Sequence, residues 1–143
     1  MSLLGPVWDG RRVLDCYAGS GAFGFEALSR GADTVTFVDN HRPIGRHLTK
    51  TAQILDLTDR VSVQIGNADR VLKRLGNLEE TFDVLFFDPP YGHDHLAQIL
   101  PLCSEITTAS GVVVTEHEPQ EILPESVNGL VLSDRRRYGS TAI

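Results

Sequence analysis

Asp88-Pro89-Pro90-Tyr91 sets a carboxylate, two prolines and an aromatic ring directly after the apolar run 82–87. Proline has no N–H for a sheet ladder and holds the residue before it extended, so the run must end in a stiff polar corner. That corner suits one task, gripping a flat ring that carries an exocyclic amine. Such an amine is a poor nucleophile because its lone pair is delocalised into the ring, and acceptors for its N–H groups return electron density to nitrogen. The Asp88 carboxylate and the Pro89 carbonyl are suitable acceptors, and Pro90 brings no competing N–H. A hydrogen bond to a charged group contributes about 1.5–3 kcal/mol. Stacking of the base on Tyr91 contributes about 1–3 kcal/mol. Together these offset the roughly few kcal/mol needed to unstack a target base. A merely stiffened loop would account for Pro89 and Pro90 but not for Asp88 and Tyr91, so all four are assigned to catalysis.

Gly19-Ser20-Gly21-Ala22-Phe23-Gly24 matches G-x-G-x-x-G, a pattern that lets backbone approach a ligand at a helix N-terminus. A tight strand-to-helix turn would use the same residues. Asp39, with Asn40 beside it, ends the next apolar run, where a carboxylate accepts both hydroxyls of a ribose; either residue could instead start the following helix. A dinucleotide and S-adenosylmethionine both fit this far. Asp15, just before the glycine turn, would repel a pyrophosphate but suits the cationic amino group of a methionine moiety. Asn67-Ala68-Asp69 offers a carboxylate and backbone groups to an adenine amine, or else a helix cap. Hydride transfer has no use for Asp-Pro-Pro-Tyr. The expected cofactor-binding set is thus Asp15, Ala18, Gly19, Ser20, Gly21, Asp39, Asn40, Asn67, Ala68 and Asp69. No metal is required. His93-Asp94-His95 lacks further ligands nearby, and Asp94 is a natural helix cap. His117, between Glu116 and Glu118, reads as an exposed rim residue.

The elements that must hold these groups follow from periodicity. Runs 12–17, 34–39, 61–65, 82–87 and 111–116 read as strands, and 129–133 with 139–143 as a closing hairpin pair. Helices are expected over 22–30, from Pro43 to about residue 57, over 71–75, and over 94–104 with Pro101 ending or kinking the last. Strands alternating with helices, and apolar on both faces, predict a parallel sheet covered on both sides. Ligands bind such sheets beyond the carboxyl ends of the strands. All four polar clusters follow strands, so all should share one rim.

The chain has 143 residues, 41% hydrophobic and 22% charged, which predicts one soluble domain over 11–143 after a loose lead-in over 1–10. No apolar run reaches membrane-spanning length and no signal pattern opens the chain. Cys16 and Cys103 share no motif and read as buried, reduced thiols of a cytoplasmic protein. Neither stands in a nucleophile context, which weighs against a covalent cysteine adduct. The net charge of −6 argues against nucleic-acid binding by the whole surface. Arg135, Arg136 and Arg137 form the best local candidate for RNA contact.

The stretches DCYAGSGAFGFEALSRGA, TVTFVDNH, FDVLFFDPPYG and the terminal RRYGSTAI resemble the bacterial RsmD-like methyltransferases. The resemblance runs from about Arg12 to the end. It implies a Rossmann-like class I methyltransferase fold, a seven-stranded sheet in the order 3-2-1-4-5-7-6 with the last strand antiparallel. It implies S-adenosylmethionine as methyl donor, S-adenosylhomocysteine as product, and guanine N2 of small-subunit ribosomal RNA as acceptor, free or in an assembling subunit; separately, a monomer is expected. By resemblance Asp15, Ala18, Gly19 and Gly21 hold the methionine end, Asp39 the ribose, Ala68 and Asp69 the adenine, and Asp88, Pro89 and Tyr91 the target amine. Cys16-Tyr17 stands where the family usually has Leu-Phe, and Asp39 where a Glu is common. The family's basic N-terminal segment is almost missing, which predicts weak RNA affinity for this chain. The alternatives are adenine-N6 methylation of DNA or RNA, since those enzymes share Asp-Pro-Pro-Tyr, and, from another class, a NAD-type oxidoreductase argued from G-x-G-x-x-G and Asp39 alone. A degenerate, binding-only domain is a third.

Overall fold

The computed structural model describes residues 8–90 and 95–116, and by their backbone the short strands at 126–127, 130–131, 137–138 and 141–142. Five strands, β1 (Arg12–Cys16), β2 (Thr34–Asp39), β3 (Val61–Ile65), β4 (Phe82–Phe87) and β5 (Thr107–Thr115), form one sheet in the order β3-β2-β1-β4-β5. Every pair in it is parallel. Register aligns the carboxyl ends: Cys16 faces Val38 and Phe87, Asp39 faces Ile65, and Phe87 faces Thr115.

Helices α1 (Ala22–Ser29), α2 (Arg42–Ile54), α3 (Ala68–Asn77) and α4 (His95–Cys103) cover both faces. Alternate strand residues enter opposite cores, as the pleat demands. Val13, Val35, Phe37 and Val84 pack with Ala27, Leu28 and Leu48 of α1 and α2. Leu14, Cys16, Leu85 and Phe87 pack with Leu72, Leu75, Leu96 and Ile99 of α3 and α4. The glycine turn permits the close seat of α1. Gly21 sits at φ 80°, and a Cβ on Gly24 would run into the Phe37 ring and the Val35 side chain.

Several elements differ from the expectation. Trp8 is fully buried in the first core and meets Phe23 edge-on, centroids 5.8 Å apart, so the loose lead-in is corrected for residues 8–10; residues 1–7 lie outside the described residues. Helix α3 starts at Ala68 rather than 71 and runs through Gly76; Asp69 in its first turn favours the positive end of the helix. Strand β5 starts at Thr107 rather than 111. The β-branched Thr107 pairs with Phe82, and the register then jumps so that Val84 faces Val112. Helix α4 contains Pro101 and passes into a 3₁₀ turn at Ser104–Ile106.

The expected seven-strand order is not found among the described residues. The terminal strands pair locally instead, β6 (Ser126–Val127) with β7 (Leu130–Val131) and β8 (Arg137–Tyr138) with β9 (Thr141–Ala142), both antiparallel. Asn128-Gly129 between the first two is a strong two-residue hairpin signal, which the expected pairing of 129–133 with 139–143 overlooked. No helix of the described residues is long and apolar enough to cross a membrane.

Candidate active site

The aligned strand ends bring the polar clusters to one rim, and backbone hydrogen bonds carry the ladder just past the sheet. Ala18 N–H donates to the Val38 carbonyl at 3.1 Å, Gly66 N–H to Asp39 at 3.0 Å, and Glu116 N–H to Phe87 at 2.9 Å. Each loop thereby leaves its strand in a fixed direction.

A cavity of about 220 Å³ opens between the ends of β1, β2 and β3 and the flank of α4. Of the expected cofactor residues it collects Asp39, Asn40, Asn67, Ala68 and Asp69. Tyr17, Gln98 and Ile99 complete the wall, and the sequence reading had not assigned them to the site. Tyr17 is held at φ 60°, a left-handed backbone uncommon for a non-glycine residue and costing of order 1–3 kcal/mol where it occurs at functional sites. Burial, with smaller contributions from Cys16 and Asp69, holds its hydroxyl protonated well above the usual tyrosine range. The departure from Phe at position 17 was the available signal. Gln98 and Ile99 could have been found from the helix that follows the Asp88 corner.

Asp39 ties this wall together. Its Oδ2 accepts from Gly19 N–H at 3.1 Å and its Oδ1 from His41 N–H at 3.0 Å. The two readings of Asp39 are therefore compatible, since it organises the start of α2, whose N-cap is His41, while each oxygen keeps a second lone pair for a ligand hydroxyl. Asn67 stands at the N-cap of α3 but its side chain makes no capping bond, so its amide is exposed and uncommitted there. A Cβ on Gly19 would project into open space, and Ser20 beside it is exposed; the turn leaves a cradle of bare backbone at the rim.

Asp15 lies deeper than expected. It is 1% exposed and its Oδ2 accepts from Gly24 N–H at 3.1 Å, anchoring α1 from within the sheet. Burial pushes its carboxyl up to about 7; the Gly24 bond opposes that, and the charges of Asp88 and Asp39 add to it. Asp15 is carried on β1, which lies between β2, ending in Asp39, and β4, leading to Asp88.

Asp88 is exposed just beyond β4, Pro89 is buried behind it and Pro90 is exposed again, so the corner stands as the prolines dictate. Tyr91, Arg135 and Arg136 lie outside the described residues, as do His93, Asp94 and His117; Arg137 opens β8. One further group joins Asp88 that the sequence reading passed over as part of the rim. The Glu116 carboxyl lies close to Asp88, and its acidity is suppressed by burial first and then by Asp88. Burial also raises both thiols, Cys103 to about 12, so neither supplies a thiolate.

A family profile described as conserved hypothetical protein 95 matches residues 1–143. The chain belongs to the RsmD family of S-adenosylmethionine-dependent rRNA methyltransferases. It is 36% identical over 144 residues to a candidate rRNA methyltransferase of Bacillus subtilis, YlbH, covering 99% of this chain and 78% of that one. It is 33% identical over 117 residues to the ribosomal RNA small subunit methyltransferase D of Haemophilus influenzae, covering 79% of this chain and 61% of that one. A conserved hypothetical protein of Streptococcus pyogenes, 26% identical, superposes with a TM-score of 0.87 over 98% of this chain and 87% of that one. The α/β architecture with its parallel sheet is thus shared with that solved relative.

Proposed function

We propose that the rim binds S-adenosylmethionine and that the chain transfers its methyl group to an exocyclic amine of a nucleobase, guanine N2 of small-subunit ribosomal RNA, leaving S-adenosylhomocysteine. The observation that carries this reading is the charge of the rim. Asp39 and Asp88 are close enough to Asp15 to add to burial in suppressing its ionisation, and no Lys or Arg ion pair reaches the three among the described residues. A pyrophosphate would be repelled by that basin. A ligand with a cationic amino group and a sulfonium is attracted to it. This weighs against the oxidoreductase alternative.

In this reading the bare backbone of Ala18 to Gly21 and the Asp15 carboxylate receive the methionine end, and Asp39 the ribose hydroxyls. Asn67, Ala68 and Asp69 face the adenine, with Tyr17 and Ile99 closing the apolar walls. The bound cofactor supplies an electrophilic methyl group. Asp88 and the Pro89 carbonyl accept from the target N–H groups, raising electron density on nitrogen. The buried Pro89 keeps the corner from yielding as the amine is pressed forward; alignment of amine, methyl and sulfur as a whole is an orientation effect worth up to about 7–11 kcal/mol. Small-subunit ribosomal RNA is supported by the named relatives, guanine by the resemblance of the sequence stretches alone, and the amine chemistry by Asp88 and its corner.

Calorimetry with S-adenosylhomocysteine and with NAD tests the cofactor: the first binds and the second does not. Binding of NAD alone would overturn the reading. For the substrate, ribosomal RNA from cells lacking the gene should lose one N2-methylguanine in the small subunit; an unchanged modification map, or loss of an N6-methyladenine, overturns that part.

A further inference from the structure

The Glu116–Asp88 contact lies outside any role given to the rim so far. Sheet register sets it up. Phe87 faces Thr115, and Glu116 N–H donates to the Phe87 carbonyl at 2.9 Å, so Asp88 and Glu116 are the next residues out on adjacent strands. Their side chains leave neighbouring strand ends close enough to interact. Two ionised carboxylates side by side repel, which favours a proton on one of them. Glu116 is partly buried and Asp88 is exposed, so burial and the neighbouring Asp88 favour the protonated form of Glu116.

We propose that Glu116 is a positioning residue for the amine acceptor: its carboxyl donates to one oxygen of Asp88 and turns the other toward the incoming N–H. The inference rests on the proposed methyl transfer. A carboxylate on a loop residue can rotate, and an exposed one is held by little else. With one oxygen capped from β5, the second has a set direction. Capping also keeps the corner at a single negative charge, so the amine meets one oriented acceptor rather than two repelling ones. When Glu116 loses its proton the bond is lost and the two carboxylates push apart. The charged group that faces Glu116 is Asp88 on the β4 end, which favours the proton on Glu116; Asp15 on β1 interacts with Asp88 in turn.

The test is a pH profile of methyl transfer to small-subunit ribosomal RNA by the full chain, for wild type, Glu116→Gln and Glu116→Ala, beside S-adenosylhomocysteine affinity. Gln keeps a neutral donor and cannot ionise. The expected result is a wild-type kcat that falls on the alkaline side, a Glu116→Gln kcat within about threefold of wild type at neutral pH without that fall, and a Glu116→Ala kcat roughly 10- to 100-fold lower, the scale of one lost hydrogen bond to a charged group. Cofactor affinity should stay unchanged in all three. Gln as slow as Ala, or a wild-type profile shared by Gln, overturns the inference while leaving methyl transfer standing. A wild-type chain that binds no S-adenosylhomocysteine and transfers no methyl overturns the underlying reading instead.

Discussion

Asp15 accepts the Gly24 amide at 3.1 Å from a position 1% exposed, so the last side chain of β1 to face α1 is an acid sealed beneath the helix it anchors. Its carboxyl is pushed up to about 7, from an ordinary value of 3.8 in the unfolded chain. Between those values the folded state holds a proton that the unfolded state has released. Its contribution to stability is therefore complete below about pH 4 and lost as pH rises through 7, up to roughly 4 kcal/mol. Asp15→Asn retains an acceptor for Gly24 and removes the titration. Urea unfolding should find it more stable than wild type at pH 8, with the gain shrinking toward pH 5; equal gains at both would contradict the assignment.

The same acid should couple ligand and proton. A cation bound above Asp15 favours its charged form, so binding S-adenosylmethionine near pH 6.5 should release protons. Calorimetry in two buffers of different ionisation enthalpy measures the count directly. Asp15→Asn should abolish the release and weaken binding by roughly tenfold, the scale of one charged interaction.

Asp88 and the cofactor wall are separate parts of the rim, and their variants should separate as well. Asp88→Ala removes an acceptor for the target amine, so kcat should drop by roughly two orders of magnitude while S-adenosylhomocysteine binding persists. Asp39→Ala should do the reverse and first lose binding, because its carboxylate holds both the Gly19 and the His41 amides. Parallel binding and transfer assays on the two variants distinguish the roles.

Trp8 fills the core beside Phe23, yet its indole N–H finds no acceptor among the described residues. Trp8→Ala should cost about 3–5 kcal/mol in chemical unfolding. Trp8→Phe loses volume but also removes a buried unpaired donor, itself a cost of about 1–3 kcal/mol, so it should cost far less.

Much of the fold was legible because it is periodic. Strands β2, β3 and β4 fall where the β-branched and apolar runs place them, at Thr34–Asp39, Val61–Ile65 and Phe82–Phe87. Trp8 escaped because a single buried residue in an aperiodic stretch carries no pattern. The early start of β5 escaped because its pairing depends on a register jump opposite Phe82 and Val84, a tertiary event. The site divides in the same way. The acids of the rim were visible by type and by their place after strands. The partnership of Glu116 with Asp88 was not, since it exists only once β4 and β5 are in register. The left-handed turn at Tyr17 was hidden because sequence marks such backbone only where glycine occupies it.

The loops that extend the ladder at Ala18, Gly66 and Glu116 have a consequence for ligand choice. They make the rim a ruler graduated in strand spacings. From the Asp69 side, past β3, to the Asp88 side, past β4, lie three intervals across β2 and β1. At about 4.8 Å each that is roughly 14 Å. A short nucleoside can satisfy the Asp39 end, and a short amine the Asp88 end. Only a molecule long enough to carry a nucleoside at one end and present a reactive group at the other reads the full scale, and the sheet measures that length before any side chain tests its chemistry.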